Sequence, residues 1–146
     1  MRKLHPEKFF TAEEKNRIVQ AIRAAESETS AEIRVYWERK AKGEIMGHAR
    51  KVFEKLGMTQ TRHRNGVLIY FSLAGRAFAI LGDQGIHNKV GGRFWQDIVA
   101  TMEKHFSQGD FAGGLERGIR EMGETLKRYF PRRAGDVNEL PDAMAG

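Results

Sequence analysis

The sequence has no cysteine and only 3 prolines in 146 residues. Without cysteine, the chain can form no disulfide framework, no thiolate zinc site and no cysteine-nucleophile active site. It also lacks a run of about 18 apolar residues, the length that crosses a bilayer, and its first residues are too polar for a signal peptide. We therefore expect a single soluble, cytoplasmic domain, large enough to bury a core without metal or disulfide support.

Basic residues outnumber acidic ones, 25 to 19, and the formal net charge is +6. Such a charge suits nucleic acid or an anionic membrane surface as a partner. The basic residues are spread along the chain, however, and no helix-turn-helix, zinc-finger or aromatic ribonucleoprotein pattern accompanies them. The densest clusters are Arg39, Lys40 and Lys42, then Arg62, His63 and Arg64, then Arg128, Arg132 and Arg133. The sequence argues against nucleic acid and membrane insertion, and the middle cluster is either a phosphate-attracting loop or a solvated charge run.

The stretch from Val67 to Leu81 is the most informative part of the chain. It predicts two fully buried strands joined by a tight turn at Ala74 and Gly75. Strands covered on both faces need helices on both sides of the sheet. A loop that leaves such a strand is where α/β proteins commonly present ligands, so the polar loop 82–85 is the predicted functional spot.

The remaining elements follow from local patterns. Thr11 and Glu14 form a capping-box pattern that begins a helix, and residues 31–38 alternate as a strand. A helix at 46–56 then makes a βαβ unit, which places the first two strands parallel and the third antiparallel. Two amphipathic helices follow, separated by Gly109 and Asp110. The prediction is a three-layer α/β/α sandwich with a small mixed sheet over residues 1–130, and a disordered tail over 131–146.

Several motifs recur in a recognisable order between residues 52 and 130. They read Phe53-Glu54-Lys55-Leu56-Gly57, Arg64-Asn65-Gly66 before an apolar strand, Arg76 in the turn, Gly82-Asp83-Gln84-Gly85, and Gly109-Asp110-Phe111. In this order they resemble the TPM domain family, here in a short bacterial-type form. The resemblance implies the same sandwich. It also links the chain to three different activities: acid phosphatase activity, divalent-metal binding, and assembly or repair of membrane complexes.

The sequence departs from the family pattern at two positions. Many members carry an acidic residue just before Asn-Gly and another just before the turn arginine, and Ca²⁺ and Mg²⁺ prefer such carboxylate ligands. Here Arg64 and Gly75 stand in those places. A cation site thereby loses two candidate ligands, and the charge of Arg64 opposes a metal. The matching positions that remain as candidate site residues are Asn65, Arg76, Asp83 and Asp110.

The leading functional prediction is a binding or assembly module with an anion- or ion-binding crevice at those four residues. Its partner would be a protein or a membrane-protein complex. The alternative is a weak phosphomonoester hydrolase in which Asp83 and Asp110 hold Ca²⁺ or Mg²⁺ while Arg76 stabilises the developing charge. The structural alternatives are that both aspartates cap helices and that the arginine is solvated. His87, four residues after Asp83, is a further possible metal ligand.

Overall fold

The computed structural model describes residues 5–90 and 93–132. Within these residues the chain forms six helices and three strands. In chain order they are α1 Pro6–Phe9, α2 Ala12–Glu26, β1 Glu32–Glu38, α3 Ile45–Lys55, β2 Gly66–Ser72, β3 Ala77–Gly82, α4 Gln84–Val90, α5 Arg93–Ser107 and α6 Phe111–Tyr129. The short helix α1 was not predicted from the sequence.

The three strands form one mixed sheet with β2 in the centre. β1 runs parallel to β2, with Ile33 opposite Val67, and β3 runs antiparallel to β2, with Ser72 opposite Ala77. The beginnings of β1 and β2 and the end of β3 therefore lie together at one end of the strands, which we call the amino end. The opposite end of the strands, where β1 and β2 finish and β3 begins, is the carboxyl end.

Period-two alternation divides the side chains of the sheet between two cores. Ile33, Val35 and Trp37 face the larger core, which they share with α2, α5 and α6. Leu68 and Tyr70 face the smaller core, which α3 covers. Helices thus lie on both faces, and the predicted α/β/α sandwich is confirmed.

Local signals set the limits of the helices as predicted. The capping box of α2 is present, with the Glu14 amide donating to Thr11 Oγ1 at 3.1 Å and the Thr11 amide donating to Glu14 Oε1 at 2.9 Å. Gly57, at φ +70°, ends α3 in the left-handed conformation that glycine adopts without strain. These contacts satisfy helix-end groups that would otherwise lack partners.

One detail of the predicted hairpin is wrong. β2 is buried throughout, but most residues of β3 are half-buried because β3 is an edge strand. The predicted turn is present: Ala74 and Gly75 are its two central residues, and the Arg76 amide closes it by donating to Leu73 O at 3.3 Å. The Leu73 amide donates to Glu38 O of β1 at 3.0 Å, and Arg76, the last residue of the turn, adopts φ +50°.

The end of the described chain packs against the domain. Pro131 forms an isolated bridge with Thr29, and the Arg132 amide donates to Glu28 O at 3.3 Å. The two residues after Phe130 are therefore bonded to the segment before β1. The rest of the predicted tail, residues 133–146, lies outside the described residues.

Candidate functional site

Asp83 and Arg64 form a closed ion pair at the amino end. The side chain of Asp83 is 5% exposed and accepts two hydrogen bonds from Arg64, from Nε at 2.7 Å and from Nη2 at 2.9 Å. Asp83 Oδ1 also accepts from the Gln84 amide at 2.8 Å, which caps α4 as predicted. This bidentate pair raises the pKa of Arg64. The carboxylate therefore already has a cation of its own chain as its partner.

Asn65 lies beside this pair and is 1% exposed. Its backbone amide donates to Thr61 Oγ1 at 3.2 Å, and its side-chain Nδ2 donates to Ser30 Oγ at 3.2 Å. Its backbone carbonyl accepts a hydrogen bond from the backbone amide of Glu32 at the start of β1. Asn65 thus ties the loop before β2 to the loop before β1, and it positions Ser30 rather than facing a ligand itself.

A hollow of about 320 Å³ opens next to Ser30 at the same end of the sheet. Its wall is made by the loops before β1 and β2, by α4 and by the end of α6. The lining residues are Ser30, His63, Gly85, Asn88, Lys89, Tyr129, Phe130 and Pro131. None of them is acidic. The ammonium of Lys89 lies 5.2 Å from the centre of the Phe130 ring, a cation–π contact that holds the charge at the hollow.

Gly85 brings α4 close enough to form this hollow. A Cβ atom at residue 85 would lie 2.4 Å from His63 O and 2.6 Å from Arg64 O, far inside van der Waals contact. The Gly85 amide donates to Arg64 O at 2.8 Å. The glycine of the loop is therefore required for close packing against backbone.

Arg76 and Asp110 lie at the carboxyl end. Arg76 is exposed in the loop between β2 and β3. Asp110 caps α6, accepting from the Gly113 amide at 3.0 Å and contacting His105 Nδ1 at 3.0 Å. The next residue, Phe111, packs on Phe71 near the end of β2. The hydrogen bond from His105, with the Gly113 amide, lowers the pKa of Asp110.

The structure therefore divides the four candidate residues into two pairs. Asn65 and Asp83 lie at the amino end, and Arg76 and Asp110 lie at the other. Because β2 spans six steps of about 3.3 Å each, the two ends are roughly 20 Å apart. The antiparallel direction of β3 causes this separation, since the loop after β3 returns to the amino ends of β1 and β2.

The predicted metal pair is not brought together either, since Asp83 and Asp110 belong to different ends. Within residues 5–90 and 93–132, no group of three or more His, Asp or Glu residues could hold a metal ion. His87, the other suggested ligand, does not complete such a group.

Sequence reasoning missed most of the residues that line the hollow. Lys89 had a detectable signal, because it lies on the short helix that Asp83 was expected to cap. Ser30 and Phe130 had none, since they come from opposite parts of the chain and meet only in the folded structure, where the Ser30 amide donates to Phe130 O.

A second polar cluster, also missed, lies at the carboxyl end on the face under α3. Tyr70 donates to Glu38 Oε1 at 2.6 Å, and His48 Nε2 contacts the same oxygen. Burial, reinforced by the hydrogen bond to Glu38, raises the pKa of Tyr70. Tyr70 is fully buried and remains a donor to Glu38. Since Glu38 lies on β1, Tyr70 on β2 and His48 on α3, the cluster links these three elements.

Comparison with known proteins agrees with the fold. The NMR structure of BA42 protein from the psychrophilic bacterium Bizionia argentinensis matches with a TM-score of 0.91 and 42% identity, over 96% of this chain and 97% of that one. The solution structure of the N-terminal domain of a P. gingivalis protein, target PgR37A, shares the fold at a TM-score of 0.67 and 19% identity, over 83% of this chain and 78% of that one. No curated protein matches the sequence.

No helix among the described residues is long and apolar enough to cross a membrane. The cytoplasmic location stays a prediction. The profile of the family described as the TPM domain matches residues 4–125, which is most of the chain and includes both ends of the sheet. Together with the close structural match, this shows that the chain belongs to the TPM domain family.

Proposed function

We propose that the protein is a binding module that takes an anionic group into the hollow at the amino end of the sheet. The observation that carries this proposal is the composition of the wall that the described residues form, which includes Lys89 and His63 but no carboxylate. A cavity of about 320 Å³ is at the small end of the range for ligand pockets, so it fits a phosphate or carboxylate group with a short attachment.

The lining supplies both charge and directed donors. The ammonium of Lys89 provides charge, while the Ser30 hydroxyl and the Asn88 amide provide hydrogen bonds. The ring of Phe130 forms an apolar wall beside the ammonium, which strengthens the electrostatic attraction locally. The group that this wall fits is a small oxyanion carried by a protein or by a membrane-protein complex, which would make the chain an assembly module.

The pairing of Asp83 with Arg64 supports an anion over a cation at this end. A buried carboxylate near the hollow would repel an anion if it were free. Its charge is neutralised by the bidentate guanidinium, so the remaining charge of the hollow is that of Lys89. The hydrolase alternative needs Asp83, Asp110 and Arg76 around one phosphoryl group, and the structure separates them.

Isothermal titration with inorganic phosphate tests the proposal, at low salt and again at about 0.5 M salt. We expect millimolar binding that weakens with salt, because a small anion held by one lysine is strongly screened. The variant Lys89→Gln should bind at least about fivefold more weakly, the loss expected for one partly exposed charge.

The matched control is Lys51→Gln, an exposed lysine on α3 across the sheet. It removes the same charge from the molecule without touching the hollow, so its affinity should stay near that of the parent. Equal weakening by both variants would show that only net charge matters, and the proposed site would be rejected.

A further inference from the structure

The outer edge of β3 presents backbone groups that have no partner in the described part of the chain. The Asp83 amide donates to Gly66 O at 2.9 Å, which fixes the alternation along the β2–β3 ladder. In an antiparallel pair every second residue bonds to the neighbour and the others face away. On β3, Phe78, Ile80 and Gly82 are therefore the residues whose amides and carbonyls point outward from the sheet, and Phe78 and Ile80 lie at the centre of the strand.

Within residues 5–90 and 93–132, this edge lacks the features that usually protect an edge strand. Its sequence, Ala77–Gly82, contains no charged residue and no proline. Natural sheets prevent unwanted pairing with lysines, prolines, bulges or covering elements. Phe78 and Ile80 are only half-buried, so the strand remains open to solvent. An apolar edge strand without these features is a template for another strand.

One end of the edge is strongly basic. Arg76 immediately precedes β3 and is exposed, at φ +50°. The neighbouring loop between β1 and α3 adds Arg39, Lys40 and Lys42, and it is joined to the β2–β3 loop by the Ala74 amide, which donates to Arg39 O at 2.6 Å. These four cations have no ion-pair partner among the described residues.

We propose that the β3 edge receives an extended segment of a partner protein, which adds to the sheet as a fourth strand. The centre of the partner segment is apolar and uncharged, matching Phe78 and Ile80, and its acidic residues lie at the end beside Arg76. Backbone hydrogen bonds to the edge supply affinity, and the charge sets the register. This surface is separate from the hollow and does not depend on it.

Charge favours such a partner over a second copy of the chain. Antiparallel self-pairing centred on Ile80 would place Arg76 of one copy opposite Gln84 of the other. The carboxylate beside Gln84, that of Asp83, is already paired with Arg64. Each copy also carries a formal net charge of +6, which opposes association.

Amide hydrogen exchange of the full chain, measured residue by residue by NMR, tests the proposal. The probe is the peptide Thr-Val-Thr-Val-Thr-Val-Glu-Glu, compared with a version ending in Lys-Lys. The acidic peptide should slow exchange at Phe78 and Ile80. Ala79 and Leu81, which bond to β2, should be protected without peptide. The basic peptide should bind at least about fivefold more weakly.

Two controls leave the protein core untouched. N-methylation of the peptide at the residues that face β3 should abolish binding, whereas methylation at the alternate residues should not. Arg76→Gly should remove the preference for the acidic peptide. Unchanged exchange at Phe78 and Ile80 at millimolar peptide would overturn the proposal. Protection that rises with protein concentration alone would also overturn it, in favour of a second copy.

Discussion

The two ends of the sheet use the same residue in the same strained conformation for different purposes. Arg64 at the amino end and Arg76 at the carboxyl end both adopt φ +50°, which non-glycine residues rarely do. Arg64 closes on the buried Asp83, while Arg76 is exposed and has no ion-pair partner among the described residues. One arginine completes an internal contact, and the other leaves its charge available for a partner.

Gly85 at the amino end and Gly75 at the carboxyl end differ in the same way. A Cβ at Gly85 would lie 2.4 Å from the nearest backbone atom, whereas a Cβ at Gly75 would meet only the side chain of Ser72, with Oγ at 3.1 Å. Gly85 is therefore packed against backbone, whereas Gly75 has room for a side chain. This contrast predicts that changes at the amino end cost stability, while changes at the carboxyl end chiefly affect binding.

The largest expected effect is that of Gly85→Ala. Because backbone cannot rotate away as a side chain can, α4 must shift, and we expect a loss of about 3 kcal/mol in the free energy of unfolding. Gly75→Ala is the matched control and should change stability by less than about 0.5 kcal/mol. Urea denaturation measures both, and equal losses would remove the contrast between the ends.

The next largest effect is expected at the two aspartates, whose replacement should lower the free energy of unfolding by different amounts. Asp83→Ala removes three hydrogen bonds of a buried carboxylate and should cost about 2–3 kcal/mol. Asp110→Ala removes an exposed helix cap and should cost about 1 kcal/mol. Thermal and urea unfolding of both variants provide the test. A larger loss for Asp110→Ala would show that the carboxyl end is the more tightly held.

Acid should affect the Asp110 cap in a defined direction. Since the pKa of Asp110 is lowered in the folded protein, its contribution is present above the unfolded value of 3.8 and is lost as pH falls through the folded pKa. Asp110→Asn keeps a capping oxygen but cannot titrate. Between about pH 5 and pH 3 it should lose less stability than the parent chain. Parallel urea curves for the two proteins across this range would contradict the assignment.

The smallest expected effect is that of Arg76→Gly. Glycine relieves the positive φ but increases the entropy of the unfolded chain, so stability should stay within about 0.5 kcal/mol of the parent. Arg64→Gly relieves the same strain, yet it leaves Asp83 buried without its cation, and its urea midpoint should fall clearly. If both variants kept the parent midpoint, the Arg64–Asp83 pair would contribute nothing to folding.

Local patterns were sufficient to predict the layers but not the site. The capping box at Thr11, the cap at Gly57 and the alternation of β1 depend on nearby residues, and each was predicted correctly. The parallel and antiparallel strand directions were also predicted. They already implied that the loop at Asp83 and the turn at Arg76 lie at opposite ends of the sheet, although the four candidates were expected together.

The hollow itself depends on contacts between distant parts of the sequence. Ser30 and Phe130 meet because the Ser30 amide donates to Phe130 O at 2.8 Å. No periodicity or spacing encodes such a contact. The arginine before Asn65 was recognised as a departure from the family pattern, but its pairing with Asp83 appeared only in the structure.

A residue-resolved NMR titration with phosphate and then with Ca²⁺ tests the account most directly. We predict that phosphate shifts the amides of His63, Asn88 and Lys89, and that Ca²⁺ leaves Asp83 unchanged because Arg64 already holds its carboxylate. Submillimolar Ca²⁺ shifts at Asp83, with no phosphate response at the hollow, would contradict the account.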